Sequence, residues 1–147
     1  MNAYQDLLKR IKKNTSVKER QKLHLETLEN LLEIMKDKED EGFDSRLDEL
    51  FNILKEIHDK DKQDFKTYHK TFNALKKYVK DRWGFVPRGT VVGEYMAMGV
   101  GFGLAIGAAF TAINTAFIAI GLPIGIAVGL SLGSHKEREL EKEGKLY

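Results

Sequence analysis

From Tyr95 to Ser134 the chain carries no Asp, Glu, Lys, Arg or His, although 31% of its 147 residues are Asp, Glu, Lys or Arg. The charges lie on either side: 20 Lys/Arg and 18 Asp/Glu in residues 1–94, and four of each sign in residues 135–147. Such segregation calls for two solvents. As one helix, residues 95–134 would extend ~60 Å, about twice the hydrocarbon thickness of a bilayer. Split at Thr111–Thr115, each half spans ~28 Å and fits a bilayer. Thr111, Asn114 and Thr115 are the polar cluster of the segment, and Asn favours turns. A soluble core hairpin would need apolar partners on every face, and the rest of the chain uses its apolar stripes on itself. The segment therefore reads as a two-helix transmembrane hairpin.

Flanking charge sets the orientation. Lys76, Lys77, Lys80, Arg82 and Arg88 precede the first span, and Lys136, Arg138, Lys142 and Lys145 follow the second. The connecting turn has no charge, so the positive-inside bias places both termini in the cytoplasm of a cell-membrane protein with two spans. Trp83, Phe85 and Tyr95 sit where aromatic rings favour the headgroup level. Lys76, Lys77, Lys80, Arg82, Trp83 and Arg88 are thus the candidate membrane-surface residues, with anionic lipid headgroups as partners at ~1 kcal/mol per cation. Pro87 and Gly89 mark residues 84–93 as a hinge, and residues 135–147 as a charged cytoplasmic tail. Pro123 is expected to bend the second span. The N-terminus lacks the apolar core of a secretory signal, which leaves residues 1–83 to fold in the cytoplasm.

Residues 1–83 read as an antiparallel helical hairpin or coiled coil, making the whole chain all-α. Tyr4, Leu7, Leu8 and Ile11 recur at helical spacing. Ser16 followed by Glu19 is a capping box that starts a helix. From there Val17, Leu25, Leu28, Leu32 and Met35 keep one stripe to a turn at Glu41-Gly42. Asp44 or Ser45 is the expected cap of the next helix. Leu47, Leu50, Phe51, Leu54, Ile57, Phe65, Tyr68, Phe72, Leu75 and Val79 then predict one helix over 43–83, with Asp61 its weak point. Charge follows the hairpin. Residues 9–22 hold seven basic groups against one acid, residues 26–49 ten acids against three basic groups, and residues 66–88 seven basic groups against one acid. Folding about Gly42 puts the acidic stretch at the tip and a basic collar at the membrane.

The apolar segment is threaded with glycine. Gly99, Gly103 and Gly107 repeat every four residues in the first span, and Gly121, Gly125, Gly129 and Gly133 in the second. That spacing gathers them on one helix face, where another backbone can approach closely. The repeat leaves open whether the faces meet within one chain or between copies, and Gly101 offers a second small face. Leu at Ala119 and Ala127 should disturb packing less than Leu at the glycines if those two positions face lipid. The stretch GEYMAMGVGFGLAIG, then GLPIGIAVGLSLGSHKERE and EGKLY, resembles the glycine-zipper hairpins of small membrane proteins of Gram-positive bacteria. The likeness covers about the last third of the chain and implies topology. The hairpin is also similar to rotary ATP synthase c subunits, but neither span holds the carboxylate which that family needs, so that likeness ends at packing.

Catalysis needs convergent titratable groups. His24, His58, His69 and His135 are scattered; a hairpin about Gly42 would bring His24, His58 and Asp61 near one another. No pair has helical metal-ligand spacing, and there is no Cys, no phosphate-binding loop and no nucleophile elbow. Nor does a net charge of +2 with no nucleic-acid motif point to nucleic acid. The expectation is a non-catalytic protein without cofactor or metal. Its cytoplasmic helices would serve as an interaction module for a protein partner, anchored by a homo-oligomerising glycine-zipper hairpin. The alternative is a membrane-permeabilising, pore-forming effector or toxin.

Overall fold

The computed structural model describes residues 2–60, 65–110 and 117–147, and its elements there are all helices: α1 (Asn2–Asn14), α2 (Val17–Lys22), α3 (Leu25–Met35), α4 (Glu41–Lys60), α5 (Phe65–Trp83), α6 (Thr90–Ala109) and α7 (Phe117–Lys142). The chain divides into two units. One takes in the chain up to Phe85 together with Tyr147, and the other is Val86–Leu146.

In the first unit the contacts fix an up-down-up-down order for α1, α3, α4 and α5. Helix α1 runs antiparallel to α3, since Gln5 bonds Glu33 at 3.4 Å and Lys12 pairs with Glu29. It runs parallel to α4. The Tyr4 ring lies 5.0 Å from that of Phe51, while Ile11 shares a recess with Leu54 and Ile57. Helix α5 returns along α4, bringing the Tyr78 ring to 4.1 Å from the Arg46 guanidinium. Leu8, Leu28, Leu32, Leu50, Leu54, Phe72 and Leu75 are fully buried among these helices. A bundle of this kind closes one apolar core from the inward stripes of four amphipathic helices.

The expected continuous helix over 43–83 is therefore corrected to two antiparallel helices. The stripe did not distinguish them, because both halves present the same face to one core. The candidate break at Asp61 lies outside the described residues. The helix expected from Ser16 is likewise two pieces. Its capping box is present: the Ser16 hydroxyl accepts from the Glu19 N–H at 3.3 Å, and the Glu19 carboxylate accepts from the Ser16 N–H at 3.1 Å. Helix α2 then stops at Leu23, and His24 takes a left-handed conformation (φ 50°, ψ 40°) before α3 starts. Val17, expected in the stripe, is 65% exposed.

The turn after α3 also differs. Asp40 caps α4, accepting from the Phe43 N–H at 2.7 Å, so α4 starts earlier than Asp44 or Ser45 would allow. Gly42 lies inside its first turn, where a Cβ would collide with the Tyr78 hydroxyl and lie 3.1 Å from Cζ. Tyr78 donates to Asp40 at 2.8 Å, and Arg82 stands 3.8 Å from the same carboxylate. The Tyr78 hydrogen bond, then the Phe43 N–H, hold the Asp40 carboxyl below its ordinary range. The acidic turn thus adjoins the C-terminal end of α5, rather than forming a tip remote from it. Opposite charges there neutralise one another locally, which the hairpin about Gly42 did not provide.

Candidate membrane-spanning hairpin

Among the described residues, α6 and α7 are the two helices long and apolar enough to cross a membrane. The apolar part of α7 and all of α6 each extend ~27–30 Å, matching a hydrocarbon core. Only 17% of each apolar window is buried. Phe102 is 69% exposed, Ile106 58%, Ile120 55% and Ile124 59%. Contiguous exposed apolar surface of this kind marks a contact with a membrane, a partner or a ligand. A core pair in a soluble protein would be mostly buried, so the two helices do not fit that description. The turn expected at Thr111–Thr115 lies outside the described residues. Pro123 lies early in α7, where its missing N–H removes one bond near the helix start.

The glycine faces meet each other within the chain. Gly99, Gly103, Gly107, Gly125, Gly129 and Gly133 are buried and Gly121 is half-buried, all at the contact of α6 with α7. A Cβ on Gly99 would strike the Gly125 carbonyl oxygen and come to 3.1 Å from Gly129 Cα. One on Gly103 would strike the Gly121 oxygen, and one on Gly121 the Gly103 oxygen. At the ends of the seam, a Cβ on Gly107 would lie 2.8 Å from Ile118 Cα, and one on Gly133 2.8 Å from Val92 Cα. Gly129 similarly faces Met96 Cα at 2.9 Å. Every one of these contacts involves backbone, which cannot move aside as a side-chain tip can. The backbone partners Val92, Met96 and Ile118 carry no small-residue signal of their own, so periodicity did not reveal them. Ala119 and Ala127 are exposed, as is Gly101, around which a Cβ would meet nothing within 4 Å.

Beyond the spans, the hinge and the tail form one tied structure. Val86 N–H donates to the Lys145 carbonyl at 2.9 Å, in an isolated parallel bridge of Val86 with Leu146. The Gly89 N–H donates to Glu137 at 2.6 Å, and Arg88 pairs with Glu141 at 2.7 Å. Val86, Val91 and Leu146 are buried together with Tyr95 and Leu140 packed on them. Gly89 (φ 78°) turns the chain into α6, which starts at Thr90, so the end of the segment expected as a hinge, residues 90–93, is helix, while residues 84–89 are not. The tail expected over 135–147 continues α7 to Lys142. Its Glu139 carboxyl is held below the ordinary range by the hydrogen bond from Lys136.

Of the six candidate surface residues, Lys76, Lys77, Lys80, Arg82 and Trp83 belong to the first unit and Arg88 to the second. Lys77 and Lys80 are exposed. Lys76 is half-buried with its ammonium 5.0 Å from the Phe72 ring, and burial pushes its pKa down. Trp83 packs edge-on against Tyr78 at 6.0 Å and Phe43 at 6.5 Å, so its ring is engaged by its own unit. Arg82 lies near Asp40, and Arg88 belongs to the second unit. Among the described residues no three His, Asp or Glu side chains converge as a metal site, and His24 lies beside His69 rather than His58. No protein-family model, curated protein or solved structure matches the chain at a significant level.

Proposed function

We propose that the chain is a non-catalytic integral membrane protein, in which α6 and α7 anchor a cytoplasmic helical bundle that docks a protein partner. The single observation that carries this reading is the double character of the hairpin. Its inner face is closed backbone to backbone by seven glycines, and its outer face is apolar and exposed on all sides. In lipid, close packing of small residues replaces the hydrophobic drive between helices, and an apolar exterior has no cost. Charge bias supports placing both termini in the cytoplasm. Arg138 and Lys142, beyond the second span, would meet anionic headgroups.

The seven glycines are spent within one hairpin, so association between copies would use the outward face at Gly101. The same fact weakens the pore-forming alternative, which needs glycine faces free for neighbouring subunits. The resemblance to Gram-positive glycine-zipper hairpins agrees with an anchor. Extraction of membranes at alkaline pH tests the first step: the full chain should remain with the lipid. Release into the soluble fraction would remove the anchor and the reading with it. A partner captured by crosslinking from the bundle surface, with membrane potential unchanged on expression, would favour docking over permeabilisation.

A further inference from the structure

The two faces of the α6–α7 pair are unlike. On one, the side chains that follow the seam glycines in sequence close over them, and Val100, Leu122 and Ile126 are half-buried. On the other, the side chains that precede the glycines stand apart, and a groove of about 350 Å³ runs between them. Its walls are Met98, Phe102 and Ile106 of α6 and Ile124, Val128 and Leu132 of α7, all exposed. Its floor is the seam of glycines, and no lining residue is charged. Tyr95 stands at one end, where a Cβ on Gly133 would come to 3.0 Å from the Tyr95 Cβ.

The dimensions of the groove select among occupants. From Tyr95 to Ile106 the helix rises ~16 Å, about half of a ~30 Å hydrocarbon core and so the depth of one leaflet. Spread over that length, the 350 Å³ gives a channel about 5 Å across, which suits one file of methylenes at carbon contact distances of ~3.5–4.0 Å. A helix is ~10–12 Å across, so a helix of a second copy could send only side-chain tips into it. In a bilayer no hydrophobic drive holds a chain there. The gain is dispersion contact with a fixed concave surface, reached closely because the floor has no side chains.

The Tyr95 end is also where charge begins. Lys136 lies one turn beyond Leu132 on the same face of α7 and within electrostatic reach of Tyr95. Its exposed ammonium pairs with Glu139 at 2.8 Å, and an ammonium has three donors to place. Glu139 and, one turn beyond Met98, Glu94 add acids at this end. Lys136 therefore offers a hydrogen-bonding position for one phosphate rather than a broad positive field.

We propose that the groove seats one acyl chain of a phospholipid from the leaflet beside the charged tail, with the lipid phosphate on Lys136. The proposal rests on the reading of α6 and α7 as membrane spans. The test embeds the full chain in nanodiscs of phosphatidylethanolamine and phosphatidylglycerol, releases it into mild detergent and weighs it by native mass spectrometry. The unaltered chain should keep one phospholipid per copy. Val128→Phe fills the groove and should lower that occupancy several-fold. Leu130→Phe makes the same kind of enlargement on the opposite face and should leave it unchanged. Lys136→Gln lies beyond the seam and should also lower it several-fold, which keeps the proposal exposed even if Val128→Phe fails to fold. A chain that embeds but carries no lipid would overturn the groove and leave the membrane reading standing, whereas a chain that never enters the nanodisc would overturn both. Full occupancy in Val128→Phe or in Lys136→Gln, or equal loss in Leu130→Phe, would also overturn it. So would a lipid-free dimer that Val128→Phe abolishes, since a second copy would then be the occupant.

Discussion

Gly125→Ala adds one methyl group at the centre of the α6–α7 seam. Its Cβ would strike the Gly99 carbonyl oxygen and stand 2.9 Å from Gly103 Cα and 3.0 Å from Gly103 N. Ordinary van der Waals contact at such a position begins near 3.4 Å. The helices must therefore part by roughly 0.5–1 Å locally, a gap that forfeits a quarter to a half of each neighbouring dispersion contact. Overpacking of a tight interface costs about 1–3 kcal/mol, which is the expected loss. Gly101→Ala is the internal control, because nothing lies within 4 Å of its Cβ and Ala favours helix by up to ~1 kcal/mol. The chain has no Cys. Dyes on Thr90→Cys and Ser134→Cys then report helix separation by energy transfer during titration with SDS in mixed micelles. Gly125→Ala should unfold at lower SDS than the parent, and Gly101→Ala at the same or higher. If both substitutions shift the midpoint equally, or neither does, backbone contact through the glycines is not what joins the two helices.

Three further expectations concern the bundle. Leu54→Asp puts an unpaired charge at a fully buried position and should cost several kcal/mol, read as loss of cooperative thermal unfolding by circular dichroism. Tyr68→Phe removes the hydroxyl bond to Leu23 and should lower stability by about 0.5–1.5 kcal/mol in denaturant unfolding, with the helices retained. Gly42→Ala should lower the melting temperature by displacing the Tyr78 hydroxyl, and Tyr78→Phe in the same chain should reduce that penalty. Additive effects of these last two would contradict the contact between them.

Much of this architecture was legible in the sequence. The charge-free block, its length and its glycine register pointed to a paired apolar hairpin, because helical spacing fixes which residues share a face. The Ser16–Glu19 cap was readable for the same reason: its chemistry is local. The bundle was not. An inward stripe is the same whether a helix continues or folds back, so Leu47 to Val79 could not reveal that α4 and α5 are antiparallel. The kink at His24 has no Gly or Pro to announce it; it lies where the Tyr68 hydroxyl bonds the Leu23 carbonyl and the His24 ring packs on His69 and Phe72. The acidic turn was misplaced because Asp40, not Asp44 or Ser45, caps α4 and meets Tyr78. The ties of Val86 to Leu146 and Arg88 to Glu141 span more than fifty residues, and no periodic signal connects such distant positions.

In the proposed function, α6 and α7 cross a membrane as a hairpin with both flanks on one side. Single cysteines at Asn114, Thr90 and Ser134 test it most directly, with a membrane-impermeant maleimide applied to intact cells and to permeabilised ones. Asn114→Cys should be labelled in intact cells, whereas Thr90→Cys and Ser134→Cys should be labelled only after permeabilisation. Labelling of Thr90→Cys and Ser134→Cys from opposite sides, or of Asn114→Cys only after permeabilisation, would contradict it.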